Sequence, residues 1–167
     1  VLYRHFTFRR NDGALRTGLF SARPITVNEE SCLLFVMQDI TERQRAEEAL
    51  RVSEMRYRSL FERANDAIFV VDKRTGRYLD ANRAAERLTG RSRAEIITLS
   101  ITDLTLHDAP KRLIQVVEAT ETLPLGEVVY LQPDGTERIA RLSTVPVSDV
   151  IVFGMAHDIT EIKVAEQ

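Results

Sequence analysis

The side chains that most often carry chemistry are few and scattered in this 167-residue chain. It contains one cysteine, Cys32, and three histidines, His5, His107 and His157. A single cysteine cannot close a disulfide within the chain or build a cysteine-based zinc cage, and the distant histidines lack metal-ligand spacing. We therefore expect no metal site, and we expect the protein to reside in a reducing compartment, the cytoplasm.

Carboxylates are more numerous, but their positions indicate capping and not catalysis. Asp72, Asp80 and Asp103 lie at predicted turns and helix starts, where a carboxylate binds backbone amides. The chain contains no phosphate-cradling glycine loop, no nucleophile elbow and no His-Glu-x-x-His motif. We expect that this segment is not an enzyme and has no catalytic residues.

The charge balance argues against nucleic-acid and membrane partners. The net charge is -2 and the isoelectric point is near 6.0. Acidic residues are interleaved with the arginines, so the sequence predicts no basic surface. No window reaches the roughly 18 apolar residues of a membrane-spanning helix. We expect no nucleic-acid binding and no direct membrane contact from this segment.

One pattern of polar residues does stand out, an aspartate followed two positions later by a threonine. The pairs are Asp39 with Thr41 and Asp158 with Thr160, and each precedes a charged stretch that favours a helix. A carboxylate and a hydroxyl in this arrangement can cap the first turn of a helix and bind the adjacent backbone. A static cap is one interpretation, and a junction with two positions is the other.

The two pairs close the two copies of an internal repeat. Asn11-Asp12-Gly13 matches Pro133-Asp134-Gly135, and Ser21–Ile25 matches Ser143–Val147, both at an offset of 122. The Asp-Ile-Thr-Glu stretches then match at an offset of 119, which places the difference in the loop between them. Landmarks in the same order indicate one structural unit present twice, with only its last third in residues 1–41.

Periodicity, turn residues and capping residues predict the order of the elements. The predicted strands are 3–9, 15–25, 32–38, 67–72, 77–81, 126–132, 136–147 and 150–157. The Leu, Phe, Val and Met side chains of 32–38 predict that this strand is buried. The predicted helices are 42–63, 83–89, short pieces within 94–107, and 111–122.

This order and several motifs resemble the PAS family. Tyr57–Glu62 leading into Asn65–Ile68 looks like the opening of a PAS domain. Asp80–Gly90 is similar to the family's helix that follows an asparagine and ends in glycine, and Leu106–Asp108 stands where the family often has a polar loop. Asp158–Glu161 is similar to the family's closing motif.

The resemblance implies an α+β PAS fold, a five-stranded antiparallel sheet with short helices on one face. A helical linker and a three-stranded partial unit are expected before it. The implied domains are the C-terminal part of a first PAS domain in residues 1–41, a linker helix in 42–63, a complete PAS domain in 64–160, and the start of an outgoing signalling helix in 161–167.

The resemblance also implies a sensory or relay module of a two-component-type signalling protein. Such a module detects a small ligand or an upstream conformational state and passes it through flanking helices to an output domain, a kinase, cyclase or regulator in the same parent chain. Asp39, Thr41, Asp158 and Thr160 are the expected signal-coupling residues. A ligand-free dimerisation and relay module is the alternative. We expect a homodimer, with 42–63 as a coiled-coil linker whose apolar stripe includes Leu50, Tyr57 and Leu60.

Alternation and helical spacing predict which side chains line the internal cavity of the complete unit, although each is also a candidate for ordinary core packing. The expected lining residues are Ile68, Val70, Leu88, Ile97, Leu104, Leu113, Val117, Leu142, Phe153 and Met155.

The identity of any cofactor stays open, but the residue types narrow it. Residues 57–167 contain no cysteine, so a flavin of the LOV kind or a thioester-linked chromophore, both of which depend on a cysteine in the family, is not expected. Neither His107, in a polar loop, nor His157, at the end of a strand, is expected to bind haem.

Overall fold

The computed structural model describes residues 2–106, 111, 115–116, 118 and 120–165, without the side chains of Leu2 and Leu106. The chain forms two compact units, Val1–Arg56 and Tyr57–Gln167. Their boundary falls within helix α1, Thr41–Arg63, which begins one residue before the predicted linker helix.

The first unit is a three-stranded antiparallel sheet in the order β1-β2-β3, followed by the start of α1. Its strands are β1 (Leu2–Arg9), β2 (Leu15–Val27) and β3 (Glu30–Asp39). The predicted strands therefore all form. The turn from β2 to β3 passes through Asn28 and Glu29, whose φ angles are 50° and 65°. These values are the left-handed conformation that a tight hairpin requires.

Strand β3 has the predicted position but not the buried character that its composition indicated. Its apolar side chains remain 60% exposed at Leu33, 57% at Phe35 and 70% at Met37. Residues two apart share one face of a strand, so these three side chains form a continuous apolar strip. No other described element of the first unit covers it, which explains why composition alone misled the prediction.

The second unit contains a six-stranded antiparallel sheet in the order β5-β4-β9-β8-β7-β6. Five of its strands were predicted, and the sixth is the two-residue strand β6, which pairs with β7. The strands are β4 (Ala67–Asp72), β5 (Tyr78–Ala81), β6 (Thr105–Leu106), β7 (Leu123–Leu131), β8 (Glu137–Pro146) and β9 (Ile151–Asp158).

Short helices connect these strands and end the described chain. They are α2 (Arg83–Thr89), α3 (Arg93–Ile96), α4 (Ile101–Leu104) and α5 (Thr160–Ala165). Helix α2 has the predicted bounds, because Asn82 caps its start and Gly90 ends it with a φ of 64°. The predicted helix 111–122 lies largely outside the described residues.

The core of the second unit lies between one face of the sheet and the short helices. Phe69 of β4 packs against Tyr78 and Tyr130, with ring centroids 5.2 Å and 6.0 Å away. Small residues on β8 and β9, Ala140 and Ala156, are fully buried beneath the helices. The inner face of the sheet therefore carries three aromatic rings that pack against one another in the core. Among the described residues, no helix is long and apolar enough to span a membrane.

Candidate functional site

The junction between β9 and α5 is held by the predicted pair, Asp158 and Thr160. Both the N–H and the hydroxyl of Thr160 donate to Asp158 Oδ1, at 2.9 Å and 2.5 Å. The same hydroxyl oxygen accepts from the N–H of Ile139 on β8, at 2.9 Å. Between them, Ile159 is buried and its carbonyl accepts from the N–H of Lys163. One threonine thus joins the last strand, its neighbour and the outgoing helix.

The first unit repeats this arrangement atom for atom. Both donors of Thr41 reach Asp39 Oδ1, at 3.0 Å from the N–H and 2.6 Å from the hydroxyl. The N–H of Thr17 donates to the Thr41 hydroxyl at 2.8 Å, and Ile40 is buried with its carbonyl bound to Gln44. The sequence repeat is therefore a repeat of geometry at the place where each helix begins.

Each junction also contains an arginine that the sequence argument missed. Nη1 of Arg16 lies 3.9 Å from Asp39 Oδ2, and Nη1 of Arg138 lies 3.7 Å from Asp158 Oδ2. Within the described part of the chain, the Nε atoms of both arginines are buried and have no hydrogen-bond partner. The two arginines are 122 positions apart, so the repeat offset was the signal that would have found them.

The environment of Asp39 favours its charged form. The hydroxyl and the N–H of Thr41 lower the pKa of the Asp39 carboxyl, and the Arg16 and Arg10 guanidinium groups lower it further, against a smaller opposing effect of desolvation. Because this pKa is lower in the folded chain, the stabilisation is complete above the pKa of the unfolded chain. It is lost as the pH falls through the folded pKa.

The side-chain amide of Asn82 joins four separate segments at the entrance to the second unit. Its Oδ1 accepts from the N–H of Ile68 on β4 at 2.9 Å and from that of Ala85 on α2 at 3.0 Å. Its Nδ2 donates to the carbonyls of Phe61 on α1 and Asp66, at 2.9 Å and 3.0 Å. Asn82 is fully buried. The sequence predicted only its role as a helix cap.

A polar pair connects the entrance, where α1 leads into β4, with the exit, where β9 leads into α5. Asp66 precedes β4, and its Oδ1 lies 2.7 Å from Nδ1 of His157, the residue before Asp158. The next pair along the ladder, Ala67 with Ala156, is the first backbone partnership of β4 and β9. The end of α1 and the start of α5 are therefore joined across one end of the sheet.

The interior cavity of the second unit is small. Its volume is about 30 Å³, close to the space that one water molecule occupies. Its described lining is Phe69, Val71, Tyr78, Ile101, Thr105, Val116, Tyr130, Leu142, Thr144 and Gly154. Burial raises the pKa of the Tyr78 hydroxyl well above its usual value, and Tyr130 and Asp103 add to the shift.

The cavity prediction is wrong for the strand residues Ile68, Val70, Phe153 and Met155. On β4 and β9 the cavity is lined instead by their neighbours, among them Phe69 and Gly154, so the four predicted side chains lie on the opposite face of the sheet. The register confirms a shared outer face, since Val70 pairs with Phe153 and Ile68 with Met155.

The remaining predicted residues are divided among several locations. Leu142 is among the residues that line the cavity. Leu88 and Leu104 are buried in the surrounding core but are not among its lining residues. Ile97 is 42% exposed, so its predicted place in the cavity is wrong. Leu113 and Val117 lie outside the described residues.

The remaining side chains that could carry chemistry, the histidines and the cysteine, do not lie together in the described residues. His5 contacts Gln44, with Nδ1 and Nε2 3.3 Å apart, and Cys32 is exposed. His107 lies outside the described residues. No group of three or more histidine, cysteine, aspartate and glutamate side chains in the described segments is arranged to hold a metal ion.

Known proteins share this architecture. A family model described as "PAS fold" matches residues 55–159. A domain of the sensory box sensor histidine kinase/response regulator from Geobacter sulfurreducens is 31% identical, with 65% of this chain and 96% of that chain covered and a TM-score of 0.57. No curated protein matches the chain.

Two further solved structures are similar. The PAS domain of an HTR-like protein from Haloarcula marismortui is 22% identical, with 70% of this chain and 99% of that chain covered and a TM-score of 0.61. A PAS domain from Colwellia psychrerythraea is 26% identical, with 66% of this chain and 98% of that chain covered and a TM-score of 0.56.

In an Arg16→Met background, where no guanidinium can replace the lost donor, Thr41→Val is expected to raise the pKa of the Asp39 carboxyl, because the hydroxyl that makes the largest contribution to lowering it is lost. Acid destabilisation of the first unit through this carboxylate should weaken accordingly. The measurement is a ¹³C titration of the Asp39 carboxyl carbon by NMR. Thr160→Val, the same change in the other copy, serves as the control and should leave the Asp39 titration unaltered. An unchanged Asp39 pKa in Thr41→Val would contradict the assignment.

Asn82→Ala should lower the free energy of unfolding of the second unit by about 3 kcal/mol or more, because four backbone groups lose a buried partner. Asn82→Ser keeps an oxygen that can cap α2 and should recover about 1 kcal/mol. Denaturant titration monitored at the amides of β4 measures both. A loss below about 0.5 kcal/mol in the alanine variant is typical of a surface position. It would show that the four hydrogen bonds of Asn82 contribute little to the stability of the second unit.

Proposed function

This chain belongs to the PAS family, and we propose that its complete unit relays a conformational state from helix α1, through the sheet, to helix α5. The predicted family and fold class are confirmed. The proposed activity is signal transmission without catalysis, to an output domain of a two-component-type protein elsewhere in the parent chain. Asp39, Thr41, Asp158 and Thr160 are the proposed coupling residues, and the domain boundaries expected above are part of the proposal.

The size of the cavity is the observation that carries the relay proposal. Sites for small ligands and cofactors commonly have volumes of roughly 300–1,000 Å³, whereas the space between the described lining residues is about 30 Å³. Phe69, Tyr78 and Tyr130 line this space, and their rings pack against one another. An interior packed in this way supports transmission of a mechanical change and leaves little room for a ligand.

The route proposed for the signal is short. The carbonyl of Phe61, at the end of α1, is bound by Asn82, which also binds the first strand of the sheet. That strand pairs with β9, whose last residue, Asp158, holds the start of α5. A displacement at the end of α1 therefore has a continuous path of hydrogen bonds to the helix that leaves the unit.

Detection of a small ligand is the second candidate function. The hydroxyls of Thr105 and Thr144 and the two tyrosines on the cavity wall are polar groups that a ligand could bind. No cofactor is proposed. The lone exposed cysteine supports the proposed location in a reducing, cytoplasmic compartment.

Native mass spectrometry of the protein purified from cells tests the relay proposal. The expected result is a native mass equal to the denatured mass, or to a multiple of it for an oligomer, with no absorption band beyond that of tyrosine. Leu142→Ala is the matched control, because it enlarges the cavity and should allow added benzene or indole to bind. A non-covalent ligand of constant mass on the wild-type protein would overturn the relay in favour of sensing.

We also propose that α1 mediates a homodimer. The apolar side chains of Leu50 and Leu60 are 61% and 69% exposed, at positions of the predicted stripe. Leu50→Glu should raise the dimer dissociation constant at least about tenfold, because it places a charge in the stripe. Met55→Glu changes an equally exposed residue off the stripe and is the control. Sedimentation equilibrium measures both, and equal effects of the two variants would refute the proposed interface.

A further inference from the structure

In the part of the chain that the structure describes, the Nε of Arg138 is buried without a hydrogen-bond partner, and the equivalent atom of Arg16 is buried in the same way. Within the described residues, neither N–H has a hydrogen-bond acceptor. A buried donor without an acceptor is unfavourable and rare in folded proteins. Its occurrence at matching positions of two copies indicates that the arrangement of the junction imposes it.

The constraint lies in the carboxylate that Arg138 faces. Asp158 Oδ1 already accepts two hydrogen bonds from Thr160, which occupy its acceptor capacity. The other oxygen, Oδ2, is 3.7 Å from Nη1 of Arg138, which is too long for a hydrogen bond. A guanidinium binds a carboxylate best as a fork, with one N–H on each oxygen. That fork needs Oδ1, which Thr160 holds.

We propose that Arg138 is a positioning residue that competes with Thr160 for the carboxylate of Asp158. In the described arrangement Thr160 holds Oδ1, helix α5 is capped, and the tie from Ile139 to the Thr160 hydroxyl is intact. In the alternative arrangement, Nε and a terminal N–H of Arg138 bind the two oxygens. Thr160 is then released and the first turn of α5 loses its cap. Because both sets of hydrogen bonds require Oδ1, they exclude each other.

The first copy has the same elements. Arg16 faces Asp39 Oδ2 at 3.9 Å, while Thr41 holds Oδ1 and the N–H of Thr17. The start of α1 is therefore subject to the same competition as the start of α5. This inference rests on the proposed function, since it supplies the two positions that a relay needs, and it names the arginine as the group that selects between them.

Amide hydrogen exchange in the 167-residue chain tests the competition. Arg138→Met removes the fork and keeps an apolar stem, so the capped state should become more populated. The amides of Thr160 and Ile139 should then open less often. Their exchange rates, relative to that of the core amide of Phe69, should fall about threefold. Arg16→Met is the matched control, and it should slow the amides of Thr41 and Thr17 without affecting Thr160. Exchange that is unchanged or faster at Thr160 in Arg138→Met would overturn the proposal.

A conservative variant separates the fork from simple charge attraction. Arg138→Lys retains the positive charge but cannot offer two parallel donors, so it should slow Thr160 exchange as Arg138→Met does. A wild-type rate in Arg138→Lys would overturn the competition by a fork. Thr160→Val gives the reciprocal test, because it removes the competing hydroxyl. The Nε–H signal of Arg138 should then move downfield and exchange more slowly, and an unchanged signal would overturn the proposal.

The same variants distinguish failure of this inference from failure of the relay. If Thr160→Val does not accelerate exchange at Lys163, whose N–H binds the Ile159 carbonyl in α5, the junction does not control the helix and the relay itself fails. If Lys163 responds to Thr160→Val while Thr160 does not respond to Arg138→Met, the junction controls the helix and only the role of Arg138 is refuted.

Discussion

The amide of Asn82 is the constraint on which the second unit depends. Its four hydrogen bonds bring together the end of α1, the segment before β4, β4 itself and the start of α2. Each of these backbone groups would be costly to bury without a partner. The amide satisfies all four with both its donors and both acceptor sites of its oxygen. The end of α1 is therefore attached to the sheet by hydrogen bonds of defined direction.

At the exit of the unit a single side chain, Asp158, again binds several groups, but with one difference. At Asn82 every hydrogen-bonding site has a partner, whereas at Asp158 two donors crowd one oxygen and the other oxygen lies 3.7 Å from a guanidinium. A fully satisfied centre has one preferred arrangement. A centre whose donors compete for one oxygen has two, as proposed for Thr160 and Arg138. The entrance therefore favours a single arrangement of α1, whereas the proposed competition gives two arrangements at the start of α5.

The order of helices and strands, the internal repeat and the Asp-x-Thr junctions could be predicted from the sequence. The residues that line the cavity could not. The Asn82 cap, the Gly90 stop and the Asp-x-Thr pairs are local signals whose chemistry is complete within a few residues. The face of a strand is a different matter, because β4 is apolar on both faces. Periodicity therefore gave no basis for choosing between Val70 and Phe69. On β9 the inner positions include Gly154 and Ala156, and their small size concealed their burial.

The uncovered strip on β3 bears on how the chain loses its structure. Of the described residues in the first unit, only Gly18, Ile40 and Thr41 are buried, while the second unit has a continuous core. Apolar burial sets both the stability of a segment and its response to denaturant. The two units are therefore expected to differ in stability. A single midpoint recorded for the chain would describe the second unit, while the first had already entered exchange with its unfolded ensemble.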